Sequence, residues 1–234
     1  MCKIDINYVS LLVISVFTPL DALENETITE QTVEDVHYRK DFPYQVSLHY
    51  SHNDEFICGG TIISSTVVLT AAHCMYYKWG GLLPPIIVTV SAGKTNLNET
   101  AWRNFDVDSI TLHPLFNKTS MEYDLAVIEV NDQFPTSDVI GSVTVEKAIP
   151  EAQYNECFVT GWPQQSLNLE LTEVVITTCY NYPERICTVK RNENETTCIN
   201  EAGVPLICDR ETGGHFIHRA RLQRSRSTNP FRKC

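Results

Sequence analysis

A chain of 234 residues is long enough to bury a sizeable core, as one large β-rich domain or two small ones. Its hydrophobic fraction of 43% is ordinary for a globular protein, and its charged fraction of 20% is too low for a disordered one. The net charge of −11 is uneven: Asp209 to Cys234 hold seven of the 18 basic side chains and only two acids, which makes an acidic body with a basic tail.

At the N-terminus, Lys3 precedes an apolar run from Tyr8 to Phe17 that is too short to span a bilayer comfortably. Leu20 and Ala22 offer a cleavage site, so residues 1–22 are predicted to be a signal peptide; the competing reading is a buried strand or helix, and Asp5 counts against a signal. No later stretch is apolar enough for a membrane helix, so no membrane association is expected and the mature chain is placed outside the cell. Nine cysteines, eight of them after the cleavage site, suit an oxidising compartment. Sequons for N-glycosylation at Asn25, Asn98, Asn117 and Asn194 agree with export. The cysteines never fall in Cys-x-x-Cys spacing and no His-Glu-x-x-His occurs, so neither a metal nor a cofactor is expected.

A polar, pro-like segment covers residues 23–41 and has no periodicity. Beyond it come β-branched runs of strand length: Thr61 to Ile63, Thr66 to Thr70, Ile86 to Val90, Leu125 to Val130, Cys157 to Thr160 and Thr172 to Thr177. Gly59-Gly60, Gly80-Gly81, Pro84-Pro85 and Asn131-Asp132 act as breakers between them. No amphipathic helix of three turns and no internal repeat is visible. Periodicity therefore predicts an all-β barrel or sandwich and goes no further.

Chemistry concentrates around His73. It lies in Leu69-Thr-Ala-Ala-His-Cys74, whose cysteine comes sixteen residues after the Cys58 of Ile57-Cys-Gly-Gly-Thr-Ile-Ile63. Upstream stands Phe42-Pro-Tyr-Gln-Val-Ser-Leu48; downstream, in order, come Leu112-His-Pro-Leu-Phe-Asn117, Tyr123-Asp-Leu-Ala-Val-Ile-Glu-Val130, Glu156-Cys-Phe-Val-Thr-Gly-Trp162 and Gly203-Val-Pro-Leu-Ile-Cys208. Over residues 42–208 this series resembles the chymotrypsin/trypsin-like serine proteases (peptidase family S1). The resemblance implies two antiparallel six-stranded β-barrels, the second incomplete at the C-terminus, with a cleft between them. It implies His73 as general base and Asp124 as the carboxylate that orients it.

The resemblance fails at the nucleophile. Where the family has Cys-x-Gly-Asp-Ser-Gly-Gly-Pro-Leu-x-Cys, this chain has Cys198-Ile-Asn-Glu-Ala-Gly-Val-Pro-Leu-Ile-Cys208, so Ala202 stands in the serine's place. A methyl group cannot attack a carbonyl, and in a related mechanism loss of the nucleophile lowers turnover by about 10⁶. Asn200 replaces an oxyanion-loop glycine, Glu201 an aspartate that pairs with the activated amino terminus, and Val204 a glycine under the turn. The window Thr29 to Asp35 lacks the activation start, and Thr196 occupies the specificity-pocket position where a trypsin-like member carries aspartate. After Cys208 the family's Ser-Trp-Gly strand is missing, since no tryptophan follows Trp162. The basic tail, residues 209–234, is either a frame departure or a segment for acidic partners.

The resemblance further implies disulfides Cys58–Cys74, Cys157–Cys208 and Cys179–Cys187. The family's partner for Cys198 is absent; a Cys198–Cys234 bridge is one hypothesis for it, the other being that both thiols stay free. The expected protein is a secreted, non-catalytic pseudoprotease that binds an extracellular protease, its substrate or its inhibitor, and no nucleic acid. The rival expectations are an active serine endopeptidase and a truncated product without stable function.

Overall fold

The computed structural model describes residues 41–99, 103–145, 157–162, 166–177, 187–190 and 202–208, with only the backbone for 176–177 and 187–190. The expectations for the signal peptide, for Asn25, Cys179, Asn194, Thr196, Cys198, Asn200 and Cys234, and for the basic tail lie outside these residues, as does the side chain of Cys187.

Ten strands and two short 3₁₀ turns form the regular structure of the described residues. In chain order the strands are β1 (Gln45–Tyr50), β2 (Phe56–Ile62), β3 (Val67–Thr70), β4 (Val88–Ala92), β5 (Arg103–Leu112), β6 (Ala126–Val130), β7 (Cys157–Gly161), β8 (Glu170–Thr177), β9 (Cys187–Lys190) and β10 (Leu206–Cys208). The first six close into an antiparallel barrel of order β1-β2-β3-β6-β5-β4. The last four make an antiparallel sheet of order β10-β7-β8-β9. The architecture is all-β. Among the described residues, no helix is long and apolar enough to cross a membrane.

Side-chain alternation explains which faces close. β5 buries Phe105 and Val107 and exposes Asn104, Asp106 and Asp108, the period-two pattern of a strand with one wet face. β1 instead is buried on both faces. Val46 and Leu48 join the apolar core, while the alternate residues Gln45, Ser47 and His49 are buried polar groups. The Thr160 hydroxyl donates to Gln45 Oε1 at 3.0 Å, so β7 of the second sheet meets β1 through a buried hydrogen bond. Phe42 against Phe158 and Phe56 against Trp162, with ring centroids 6.0 and 6.1 Å apart, add apolar contact across the same seam.

Several elements differ from the sequence expectation: Gly59-Gly60 is no breaker but lies inside β2, and β1, β5, β9 and β10 form where no strand run was expected. The run from Ile86 is not a strand from its start: Pro85–Ile87 is a 3₁₀ turn and pairing begins at Val88. Pro85 has no N–H for a ladder, and Ile86 is exposed to solvent. The ten-residue β5 was not foreseen, because its apolar residues alternate with charged ones and form no continuous run.

Candidate active site

His73 sits on the 3₁₀ turn Ala72–Met75 that follows β3. The turn is held by the Cys74 N–H donating to Ala71 O and by the Cys58–Cys74 disulfide, which ties it to β2. Asp124 immediately precedes Leu125 and β6, the barrel neighbour of β3. Its two carboxylate oxygens engage the same histidine. Oδ1 accepts the His73 backbone N–H at 2.8 Å and Oδ2 lies 2.6 Å from Nδ1. A carboxylate that accepts from both main chain and ring fixes the position and the plane of the imidazole together, and with Nδ1 donating, Nε2 is left as the basic nitrogen.

A tight loop delivers Asp124. Met121 and Tyr123 adopt left-handed backbone (φ 57 and 52), the Tyr123 ring stacks on His113 at 4.9 Å, and the His113 N–H donates to Leu125 O. Non-glycine residues take such φ values at a cost that the stacked pair and the hydrogen bond offset.

Ala202 comes to the same place from the second sheet. Its carbonyl accepts the Gly59 N–H at 3.1 Å, and the Thr70 hydroxyl donates to Gly59 O at 2.8 Å. Gly203 follows with φ +83, and a Cβ there would collide with Gly59 O and Thr70 Oγ1, so only glycine fits. Val204 is buried, and its Cγ1 would be 2.6 Å from a Cβ at Gly59; the valine is accommodated because Gly59 has no side chain. The Cys157–Cys208 disulfide closes β7 on β10 behind this segment.

These elements line a cleft of about 290 Å³ with Tyr50, Glu55, Phe56, Ile57, Cys58, Gly59, His73, Cys74, Tyr76, Lys78 and Ala202. The volume suits a side chain or short peptide segment. Burial, with Glu55 and Tyr77 adding, holds the Tyr50 phenol above its usual 10. Donor atoms of Cys58, His73 and Cys74 lie within 4.8 Å of one another, but the two sulfurs are spent on each other and are not thiolate ligands for a metal.

The structure thus brings His73 and Ala202 to one cleft, with Asp124 bonded to His73. Asn98 and Asn117 are exposed on loops. Sequence reasoning missed a buried polar cluster near the barrel seam. His49 Nδ1 lies 2.9 Å from Asp54 O, and since a carbonyl only accepts, Nδ1 carries the proton. His49 Nε2 then accepts from Ser47 Oγ at 2.8 Å and from Lys94 Nζ at 3.0 Å. Burial, then the Lys94 charge, pushes His49 below its usual 6.5. Burial lowers Lys94 to about 8, against the opposing pull of Asp54 and Glu99. Nothing in the sequence announces a contact between residues 45 positions apart.

A closed β-barrel, a second antiparallel sheet and a His–Asp pair at their junction define a protein of the serine-protease fold class. The family described as Trypsin matches residues 33–224, running past Cys208, and the chain belongs to that family. Its relatives include bovine coagulation factor XI, 27% identical over 76% of this chain, of which it spans only 31%, and mouse chymotrypsin-C, 28% identical over 82% of this chain and 78% of that protein. Among solved structures, human heparin binding protein superposes with a TM-score of 0.61 at 22% identity, covering 73% of this chain and 77% of its own, a likeness of fold.

Proposed function

We propose that this chain is a secreted trypsin-family protein that cleaves no peptide bond and acts by binding, through its cleft, an extracellular protease, its substrate or its inhibitor. The observation that carries the reading is Ala202 in the cleft beside His73. Base and orienting carboxylate stand ready with nothing to deprotonate, so His73 and Asp124 serve as packing and hydrogen-bonding elements. Two further departures support it. Asn200 and Ala202 would supply the oxyanion-binding N–H groups on a loop without its glycine, and Thr196 would leave the specificity pocket uncharged. Export rests on the predicted signal peptide and on the disulfides Cys58–Cys74 and Cys157–Cys208, which belong to an oxidising compartment.

The test is incubation of the purified secreted chain with a mixed-sequence peptide pool. No cleavage above buffer is expected. The intact His73–Asp124 geometry favours one second reading, an active endopeptidase. Cleavage that disappears in His73→Ala would establish that reading and end this one.

A further inference from the structure

The sequon Asn117-Lys118-Thr119 lies next to one residue of the cleft wall, Tyr76. Asn117 is exposed, and its Oδ1 accepts the backbone N–H groups of Thr119 and Ser120 at 2.9 and 3.1 Å. The turn is closed by Asn117 N–H to Glu122 O at 3.0 Å and Met121 N–H to Asn117 O at 2.7 Å. Both sequence neighbours of Asn117 lean on one ring. The Phe116 ring is 6.1 Å from Tyr76, and Lys118 Nζ lies 4.3 Å from the Tyr76 centroid while reaching Gly80 O at 3.4 Å. Tyr76 lines the cleft with His73 and Ala202. The first sugar on Asn117 would start one residue from a cleft-wall contact.

From this juxtaposition we propose that Asn117 carries an N-linked oligosaccharide that stands beside Tyr76 at the cleft and narrows the partners proposed above to extended peptide segments, against folded proteases and inhibitors. The proposal rests on the reading above that the chain is exported and that its cleft is a binding surface. In the transfer step the Asn117 amide nitrogen attacks the anomeric carbon of a lipid-pyrophosphate-linked oligosaccharide. The N–C bond forms, the C–O bond to the pyrophosphate breaks, the lipid pyrophosphate leaves and the amide loses one proton. Such a group is bulky and hydrated, and the turn that bears it is tied to Tyr76 through Phe116 and Lys118. The exposed Asn98 lies on the loop that bonds Leu97 N–H to Leu167 O, and neither of those residues lines the cleft, so it serves as an internal control.

The experiment uses the full chain secreted from a glycosylating eukaryotic cell. Amidase release of the sugar in heavy-oxygen water, followed by peptide mapping, is expected to mark Asn117; Thr119→Ser should keep the mark, and Thr119→Ala and Asn117→Gln should lose it. Native acylation of Lys78, whose side chain is 90% exposed on the cleft edge, reads the rim. A small activated ester should label Lys78 equally before and after sugar release, and the same ester on a polymer should label it several-fold more after release. An unmarked Asn117, or equal polymer labelling, overturns the proposal. If Asn98 is marked in that case, export stands; if the chain never leaves the cell, the export reading falls with it.

Discussion

The Gly59 N–H donates to the Ala202 carbonyl at 3.1 Å. That bond docks the second-sheet segment onto the same strand whose Cys58 is bridged to Cys74, the neighbour of His73. The main chain around residue 202 is therefore pinned against β2 in the cleft, and on the proposed reading what is lacking is the side-chain hydroxyl and the family pattern of the surrounding loop.

This separation makes the reverse substitution informative. Ala202→Ser is expected to fold, because a hydroxyl replaces a hydrogen on a partly exposed Cβ. It is expected to restore no measurable peptidase activity, since Asn200, Glu201 and the activation start still depart from the family pattern. Hydrolysis of peptide substrates by the secreted variant is the check.

Asp124 accepts two hydrogen bonds from His73 with its side chain only 12% exposed. Asp124→Ala leaves a part-buried N–H and a ring N–H without their acceptor. The expected loss is about 1–3 kcal/mol of folding stability. Denaturant titration of the two proteins measures it.

Gly203 tests the close approach of the two sheets. Gly203→Ala puts a Cβ against Gly59 O and Thr70 Oγ1 at a φ of +83. The strained backbone alone is worth about 1–3 kcal/mol, and the collision adds to it. A lowered melting temperature is expected, along with weakened protection of the Gly59 amide in hydrogen exchange.

The buried Lys94–His49 contact gives stability a pH dependence whose sign follows from the direction of the shifts. Lys94 titrates at about 8 in the folded chain against an ordinary 10.5, so between those values the unfolded state binds more protons. Its contribution to stability is fully present above 10.5 and is lost as pH falls through about 8. His49, depressed below 6.5, acts in the same sense: its contribution is complete above 6.5 and is lost as pH falls through its lowered folded value. Denaturant midpoints should rise from acid to alkaline pH through these windows. Lys94→Met should flatten the alkaline rise; an unchanged slope would show that Lys94 is not a buried titrating group.

Much of this site could be read before the fold. Two cysteines and Pro205-Leu206 set the register that puts Ala202 at its position, and the spacing of Cys58, His73 and Cys74 marked the turn that carries the imidazole. Local chemistry of that kind survives in sequence because it is contiguous. The strand β5 was hidden because its one wet face breaks the apolar run, and Pro84-Pro85 shifted the start of β4 by two residues. The polar cluster of Ser47, His49, Asp54 and Lys94 was hidden for a different reason. Its members meet only because β1 and the residues after β4 are brought together by barrel closure. The Asn117 sequon was legible, but its position against Tyr76 was not.

On the proposed reading the cleft holds no serine nucleophile beside His73. Incubation of the secreted chain with a serine-directed phosphonate probe, followed by peptide mapping, tests it most directly. No covalent adduct is expected on any residue of this chain; an adduct in the cleft, abolished by His73→Ala, would contradict the account.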